Sequence, residues 1–288
     1  MPELPEVETN ARNLRAWTVG RRIVAVTPPP GRREAGGLTP RAFAARLRGR
    51  RVEAVDRRGK WTLVRLSGGA GLGLHLGMSG KYARLAAGQA LLPRFTRAVF
   101  ALDDGTRVCF VDARRFGRLI AAARYDALCA RPEIASLGPD ALAATSPAHL
   151  RAALAATTRS VKEAIMDQRV LAGVGNLYAT EALWRARLHP AVPAPAVAAD
   201  AAALRGLARA IPAALAHGLR LLRAATRAGA RAAVPPEYLE EGAPNPYFAY
   251  DRAGEPCPRC RTPFQALTLG GRTSVFCPRC QPPPRRKP

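Results

Sequence analysis

Apolar residues alternate with polar ones at a spacing of two over much of the first half of the chain. From Arg22 to about Ile120, short segments rich in Val and Leu are separated by Gly, Pro and Asp-Gly breaks, as in RIVAV, KWTLVRL, GLGLHL, RAVFAL and TRVCFV. This spacing predicts antiparallel strands in a β-sandwich or barrel. Asp104-Gly105 predicts a tight hairpin turn. Residues 1–15 predict a helix before the strands, with acidic residues at its start.

After about Pro132 the apolar spacing becomes helical and continues to about Ala233. The candidate helices are 147–156, 159–170, 177–187, 199–210 and 213–227. Pro212 predicts a kink or a break between the last two. We therefore expect a multidomain α+β protein with an N-terminal sandwich domain over 1–132 and a helical domain over 133–235. Residues 236–288 would hold a connector, a cysteine module and a basic tail.

The cysteine module carries two C-P-R-C knuckles separated by 16 residues. Four thiolates at this spacing predict one closed, structural zinc site with no open position for catalysis. Its ligands would be Cys257, Cys260, Cys277 and Cys280. The segment between the knuckles alternates apolar and polar residues around Gly270-Gly271, which predicts a β-hairpin with Arg272 just past its tip.

The net positive charge of the chain indicates a negatively charged binding partner. The chain has 45 Lys and Arg against 21 Asp and Glu, a formal net charge of +24. Nucleic acid is the leading partner that such an excess indicates, and an anionic membrane surface is the second. A GC-rich genome, which raises the Arg and Ala content of its proteins, would also contribute to this excess. The sequence has neither a secretory signal pattern nor an apolar run of membrane-spanning length, and clustered cysteines suit a reducing cytoplasm.

The N-terminus offers a nucleophile. Met1 before Pro2 is normally removed, which leaves a secondary amine that is about one-fifth neutral near physiological pH. Such an amine can attack the anomeric carbon of a sugar, expel the base and leave an iminium that permits β-elimination of phosphate. Glu3 beside it could move protons to and from the sugar ring oxygen. Proline at the second position is common, so by itself it establishes nothing.

Several motifs in the right order resemble one known family. They are MPELPEVET, RRGKW, HLGMSG, DARRFG, VKEAIMDQRVLAGVGNLYATEAL and GEPCPRC with RTSVFCPRC. Together they resemble the bacterial formamidopyrimidine-DNA glycosylase/endonuclease VIII family, and ELPEV resembles its formamidopyrimidine branch. The resemblance implies a monomeric base-excision repair enzyme that acts on damaged double-stranded DNA. It would remove formamidopyrimidines and 8-oxoguanine through a proline Schiff base and then cleave the strand by β- or β,δ-elimination.

The resemblance also implies a role for each motif residue. Pro2 would be the nucleophile, Glu3 the general acid and base, and Lys60 a phosphate ligand that assists elimination. Glu6 would support the site or simply cap the first helix, and Lys162 would lie at the mouth of the damaged-base pocket. The residues expected to bind DNA are His75, Met78, Arg114, Arg115, Phe116, Asn176 and Arg272. Of these, Met78, Arg114 and Phe116 would fill the gap left by the flipped nucleotide.

Asn176 follows the tight turn GVG, so it is expected to be the N-cap of a helix whose free N–H groups bind phosphate. Two departures from the branch stand out. Ala113 replaces a proline in the DARRFG motif, and the segment 218–250 lacks the branch's usual lesion-covering loop. The lesion preference therefore stays open between oxidised purines, oxidised pyrimidines and abasic sites. A non-catalytic damage binder and an RNA-binding zinc ribbon are the alternatives.

Overall fold

The computed structural model describes residues 2–143, 145–228 and 245–284. The chain divides into two compact units, the first holding residues 2–136 and the end of the last helix from Leu222, and the second holding Leu137–Leu221 and the described residues from 245 onward. About half of the atypical segment 218–250, namely residues 229–244, lies outside the described residues, as do residues 285–288 of the predicted tail.

The first unit begins with a helix and continues as a two-sheet sandwich, as the alternating pattern predicts. Its elements are α1 (Leu4–Thr18), β1 (Ile23–Thr27), α2 (Pro40–Leu47), β2 (Val52–Arg58), β3 (Trp61–Leu66), β4 (Gly71–His75), β5 (Lys81–Leu85), β6 (Thr96–Leu102), β7 (Arg107–Val111), β8 (Arg118–Ala122), α3 (Tyr125–Cys129) and α4 (Pro132–Ala135). One sheet has the order β1-β6-β7-β5 and the other β2-β3-β4-β8, and every pairing is antiparallel.

The core of the sandwich lies between the inner faces of the two sheets. It contains Val64 and Leu74 from one sheet and Phe100 and Phe110 from the other, with Val7 of α1. All are less than one-tenth exposed. Burying apolar area of this kind is the main stabilising term of such a unit, at about 25 cal/mol per Å².

Among its described residues, the second unit contains five helices and a two-stranded hairpin. These elements are α5 (Pro147–Ala155), α6 (Val161–Met166), α7 (Asn176–Ala186), α8 (Ala194–Ala199), α9 (Ala201–Ala228, ending in the first unit), β9 (Gln265–Leu269) and β10 (Arg272–Phe276). The hairpin turn is formed by Gly270 and Gly271, both with positive φ, as predicted.

The predicted break at Pro212 is wrong, because Pro212 lies inside the single helix α9, while the alternative of a kink stays a prediction. A proline inside a helix costs roughly 3 kcal/mol. The helix nevertheless continues because one apolar stripe runs along it on both sides of the proline, and burial of this stripe offsets the cost. The stripe consists of the buried residues Leu204, Leu207, Ile211, Leu215 and Leu219.

Four short helices were not predicted: α2, α3, α4 and α8. Each has eight residues or fewer, so its apolar period is too short to be read from the sequence. The predicted helix 159–170 is also shorter, spanning Val161–Met166. Within the part of the chain that the structure describes, no helix combines the length and apolar character needed to cross a bilayer.

Candidate active site

The predicted nucleophile and acid lie at the start of α1. Pro2 is partly exposed, whereas Glu3 and Glu6 are each only 3% exposed. Glu3 is the N-cap residue, and its backbone N–H donates to the Glu6 carboxylate at 2.5 Å. A carboxylate in this place satisfies one of the free N–H groups of the helix start and suits the helix dipole. Glu6 therefore holds the main chain that carries Pro2 and Glu3.

Two ion-paired residues connect this helix to the turn that carries Lys60. The Glu8 carboxylate of α1 binds Arg57 at the end of β2 at 2.7 Å. Arg57 also donates to the carbonyl of Gly59 at 3.1 Å. Gly59 has a φ of +56°, which glycine adopts without strain. Lys60 thus lies in the β2–β3 turn, directly before β3 begins, rather than inside a strand.

His75 ends β4 beside this turn and has a strongly lowered pKa. It is paired with Trp61 on β3 and with Arg118 on β8, and its ring lies 5.0 Å from that of Trp61. Burial, followed by the positive charges of Lys60 and Arg118, lowers the pKa of His75 to about 4. A neutral imidazole beside two cations forms a site suited to an anion such as phosphate.

Met78, Arg114 and Phe116 lie on two loops and are exposed. Met78 is in a turn and is 38% exposed, while Phe116 is 44% exposed. The Arg114 guanidinium lies over the Phe116 ring at 5.3 Å. Exposed large apolar side chains stacked with a cation are suited to insertion between bases.

Arg115 takes a different direction from its two neighbours. It has a φ of +59°, and its guanidinium binds one oxygen of the Glu34 carboxylate through Nε at 2.9 Å and Nη2 at 2.7 Å. Glu34 is only 8% exposed. Arg115 therefore anchors its loop to the segment before α2, and its role in binding DNA stays a prediction.

In the second unit, Lys162 is 1% exposed and its ammonium group binds the hairpin. It donates to the Thr273 carbonyl at 3.1 Å and to the Ser274 hydroxyl at 2.7 Å. Arg272 is the first residue of β10, next to Thr273. These contacts support a structural role of Lys162 in holding the hairpin, and its predicted place at a lesion pocket stays a prediction.

Asn176 is the first residue of α7 rather than its N-cap, which is Gly175. The prediction was therefore wrong by one position. Its cause is that Gly175 takes an extended conformation that starts the helix without a side-chain cap. Asn176 remains at the helix start, where the first N–H groups have no partner within the helix.

The four cysteines of the knuckles meet at one point. Their sulfur atoms all lie within 4.8 Å of one another. Tetrahedral zinc with Zn–S bonds of about 2.3 Å requires sulfurs about 3.8 Å apart, so the donor set fits zinc. Burial and the adjacent Cys260 raise the pKa of Cys280 to about 12, so a cation is needed to hold all four as thiolates. The module forms a structural zinc site, as predicted.

The zinc module packs on the end of α7. Trp184 forms one buried cluster with Cys257, Phe264 and Val275. The guanidinium of Arg259 lies 3.8 Å from the centre of the Trp184 ring and donates to the Trp184 carbonyl at 2.6 Å. The knuckle is thereby attached to the helical unit by apolar packing and by a cation–π contact.

Three residues that support the site were not singled out from the sequence. Arg118 is one, because it reaches His75 only through the pairing of β4 with β8, which no local pattern reveals. Asp112 and Ser79 are two more, and both lie inside motifs already noted, DARRFG and HLGMSG. The available indication for Asp112 was an acidic residue in a motif with two arginines, because an acid of this kind is often held by hydrogen bonds.

Three family models match successive parts of the chain. The family model for the formamidopyrimidine-DNA glycosylase N-terminal domain matches residues 1–119, and that for the formamidopyrimidine-DNA glycosylase H2TH domain matches residues 137–228. The model described as a zinc finger found in FPG and IleRS matches residues 254–283.

Curated relatives and solved structures are similar over nearly full length. The formamidopyrimidine-DNA glycosylase of Acidothermus cellulolyticus is 41% identical, covering 99% of both chains, and that of Chloroflexus aggregans is 37% identical, covering 98% of both. The MutM (Fpg) structure from Thermus thermophilus has 35% identity and a TM-score of 0.79, covering 97% of this chain and 98% of that one. A Lactococcus lactis Fpg complex with abasic-site DNA has 26% identity and a TM-score of 0.83, covering 98% and 100%. The chain belongs to the formamidopyrimidine-DNA glycosylase family.

Proposed function

We propose that this enzyme removes oxidised purines, formamidopyrimidines and 8-oxoguanine, from duplex DNA and then cleaves the abasic strand. The observation that carries the proposal is the buried carboxylate of Glu3 directly after Pro2, on a main chain held by Glu6. A lesion-bearing DNA is also the ligand in a solved complex of the relative from Lactococcus lactis, which contains Fapy-dG.

The chemistry follows from the N-terminal amine. Its lone pair bonds to C1′ of the damaged nucleotide while the C1′–base bond breaks and the base leaves with that electron pair. The amine nitrogen gives its proton to the departing base, Glu3 protonates the ring oxygen as the C1′–O4′ bond breaks, and the nitrogen lone pair forms the iminium. The Glu3 carboxylate left by that transfer removes the C2′ proton, the C2′–C3′ double bond forms as the C3′–O bond breaks, and the downstream strand leaves with a phosphate at its 5′ end. Hydrolysis of the iminium frees the proline amine.

The phosphate ligands and the wedge residues prepare the substrate for this step. Lys60 and neutral His75 would bind the backbone in the first unit, and Asn176 and Arg272 in the second. Arg115 would become a further DNA ligand on leaving Glu34. Met78, Arg114 and Phe116 would replace the stacking lost when the nucleotide is extruded, which costs a few kcal/mol. Lys162 would lie at the mouth of the damaged-base pocket and would keep the hairpin in place there through its hydrogen bonds to Thr273 and Ser274.

We also propose a function for each of the three domains, an oligomeric state and a cellular location. Residues 1–132 would perform catalysis, 133–235 would bind the backbone through the helical domain, and 236–288 would carry the zinc hairpin into the DNA. We propose a monomer in the bacterial cytoplasm, associated with the nucleoid. The charge of +24 supports binding to DNA that weakens steeply as salt rises.

Borohydride trapping on a duplex with one 8-oxoguanine tests the proposal, because the reductant fixes the iminium as a stable adduct. We expect an adduct with the native enzyme and none when a short N-terminal extension converts the Pro2 amine into an amide. The same extension at the C-terminus is the control. Glu3→Gln should slow base removal by about 10²- to 10⁴-fold. Glu53→Gln, an exposed carboxylate on β2, should leave the rate unchanged.

Three results would contradict the proposal. Tight binding of abasic duplex without strand cleavage would indicate a non-catalytic damage sensor. Better competition by RNA than by duplex DNA would indicate an RNA-binding protein. Faster base removal at an oxidised pyrimidine than at 8-oxoguanine, or cleavage of a preformed abasic site with no base removal at 8-oxoguanine, would indicate a different substrate class.

A further inference from the structure

Asp112 is a buried carboxylate that the proposed chemistry does not use. It lies at the end of β7 and is 1% exposed. It begins one of two loops, residues 77–80 and 112–117, which we call the wedge loops because they carry Met78, Arg114 and Phe116, and its side chain reaches the other loop at Ser79. A buried charge is costly unless every lone pair is satisfied, so its partners indicate what it does.

Both carboxylate oxygens of Asp112 bind the wedge loops. Oδ1 accepts from the Ser79 hydroxyl at 2.5 Å and from the Arg114 backbone N–H at 3.3 Å. Oδ2 accepts from the Gly117 backbone N–H at 2.7 Å. The Ser79 oxygen in turn accepts from the Arg114 backbone N–H at 3.0 Å. The Asp112 carboxylate and the Ser79 hydroxyl thus join the residue after Met78 to the backbone of Arg114 and Gly117.

The two loops also touch along their backbones. A Cβ on Gly77 would lie 2.4 Å from the carbonyl carbon of Phe116 and 2.6 Å from the Gly117 nitrogen. A Cβ on Gly117 would lie 2.4 Å from the Phe110 ring and 3.0 Å from Asp112 Oδ2. Glycine at position 77 permits the approach of the two loops, and glycine at 117 lets its own loop pack on Phe110 and Asp112. The loops cannot move apart without breaking the hydrogen bond from Ser79 to Asp112.

We propose that Asp112, acting through Ser79, is a positioning residue that holds the two wedge loops as one rigid body, so that Met78, Arg114 and Phe116 enter the duplex together. This inference rests on the proposed wedge role of those three residues. Rigidity matters because ordering exposed side chains at the moment of binding costs affinity, and a prearranged wedge avoids that cost.

The hydrogen-bonding pattern explains why the residue is an aspartate. All three groups that face it, two backbone N–H groups and one hydroxyl, donate to it. Only a carboxylate offers acceptor oxygens on both sides. In Asp112→Asn the amide NH₂ would face a donor, so either Gly117 or the Ser79 side would lose its partner. Ser79→Ala instead removes only the link between the loops.

The test compares extrusion-dependent with extrusion-independent steps. Wild type, Asp112→Asn, Ser79→Ala and Met78→Ala are measured for single-turnover base removal from an 8-oxoguanine duplex. They are also measured for borohydride trapping on a single-stranded abasic oligonucleotide, which needs no extrusion. The fluorescence of 2-aminopurine placed beside the lesion reports wedge entry directly. Asp103→Asn, an exposed acid at the end of β6, is the matched control.

We expect Asp112→Asn and Ser79→Ala to slow duplex base removal by about tenfold, the usual effect of an unmade buried hydrogen bond. Both should reduce the 2-aminopurine signal and leave single-strand trapping within about twofold of wild type. If Met78→Ala slows base removal while Asp112→Asn and Ser79→Ala keep full activity, the positioning role of Asp112 would be overturned and the wedge role would stand. An unaffected Met78→Ala would overturn the wedge role on which it rests. Equal loss on both substrates would assign Asp112 to general folding and also overturn it.

Discussion

The backbone N–H of Gly77 donates a hydrogen bond to Nδ1 of His75 at 3.1 Å. Because Nδ1 is an acceptor, the ring is neutral and its proton is on Nε2. The lowered pKa of about 4 agrees with this arrangement. His75 therefore offers one directed N–H donor beside Lys60, and the positive charge of the site comes from Lys60 and Arg118.

The first prediction concerns acid stability. The pKa of His75 is about 4 in the folded protein and 6.5 ordinarily, so between these values the unfolded chain binds more protons. The free energy of unfolding should therefore fall as pH drops from 6.5 towards 4, by at most about 3 kcal/mol from this residue. His75→Gln should remove most of that dependence in denaturant titrations at pH 7.5 and 5.

The measurement needs a reporter confined to the first unit. In a Trp184→Phe background the fluorescence comes from Trp17 and Trp61, which both lie in that unit. His189→Gln is the control, because the pKa of His189 is also lowered by burial but the residue lies in the second unit. An unchanged pH slope in His75→Gln would contradict the prediction.

The second prediction concerns Lys162. Lys162→Met keeps a long apolar chain but leaves the Thr273 carbonyl and the Ser274 hydroxyl without the ammonium. We expect the second unit to lose about 1–3 kcal/mol of stability. Affinity for undamaged duplex should weaken together with affinity for lesion duplex, because Arg272 is displaced with β10. Binding isotherms of Lys162→Met and Arg272→Ala on both duplexes check this, and loss confined to the lesion duplex would indicate direct lesion recognition instead.

The third prediction concerns zinc. Removal of the metal with a chelator should unfold the hairpin, because its few buried residues form a cluster around the ligands. Trp184 belongs to that cluster, so its emission should shift to longer wavelength as zinc leaves, while Trp184→Phe should lose the shift. Cys277→Ser should show the shifted emission without chelator. The sandwich should keep its far-ultraviolet β signal throughout, and collapse of both units would refute independent folding of the module.

The fourth prediction concerns Gly77. Its φ is +64°, and a Cβ would collide with the Phe116 main chain. Gly77→Ala should therefore displace the wedge loops and reduce activity on lesion duplex more than trapping on a single-stranded abasic site. Gly20→Ala is the matched control, since Gly20 has a φ of +85° and no atom within 4 Å of the added Cβ. Both variants carry a backbone penalty of about 1 kcal/mol, so similar activity loss in the two would contradict the prediction.

Local features of the sequence were sufficient to predict much of the fold and of the candidate site. The period-two segments predicted the sandwich, and Gly270-Gly271 predicted the hairpin turn, because both depend on neighbouring residues. The spacing of Cys257, Cys260, Cys277 and Cys280 predicted the zinc site, because a ligand set of this kind imposes its own geometry. The order of motifs identified the family, and the structure and comparisons confirm it.

The tertiary structure alone decided how those motifs are held. Pro212 stays within one helix because burial along α9 outweighs a local penalty that sequence patterns emphasise. The low pKa of His75 comes first from burial in the folded sandwich and then from Lys60 and Arg118, and Arg118 is 43 positions away and adjacent only through strand pairing. Asp112 meets Ser79 across 33 positions for the same reason. Such contacts depend on register and burial between distant segments, and no pattern of neighbouring residues encodes them.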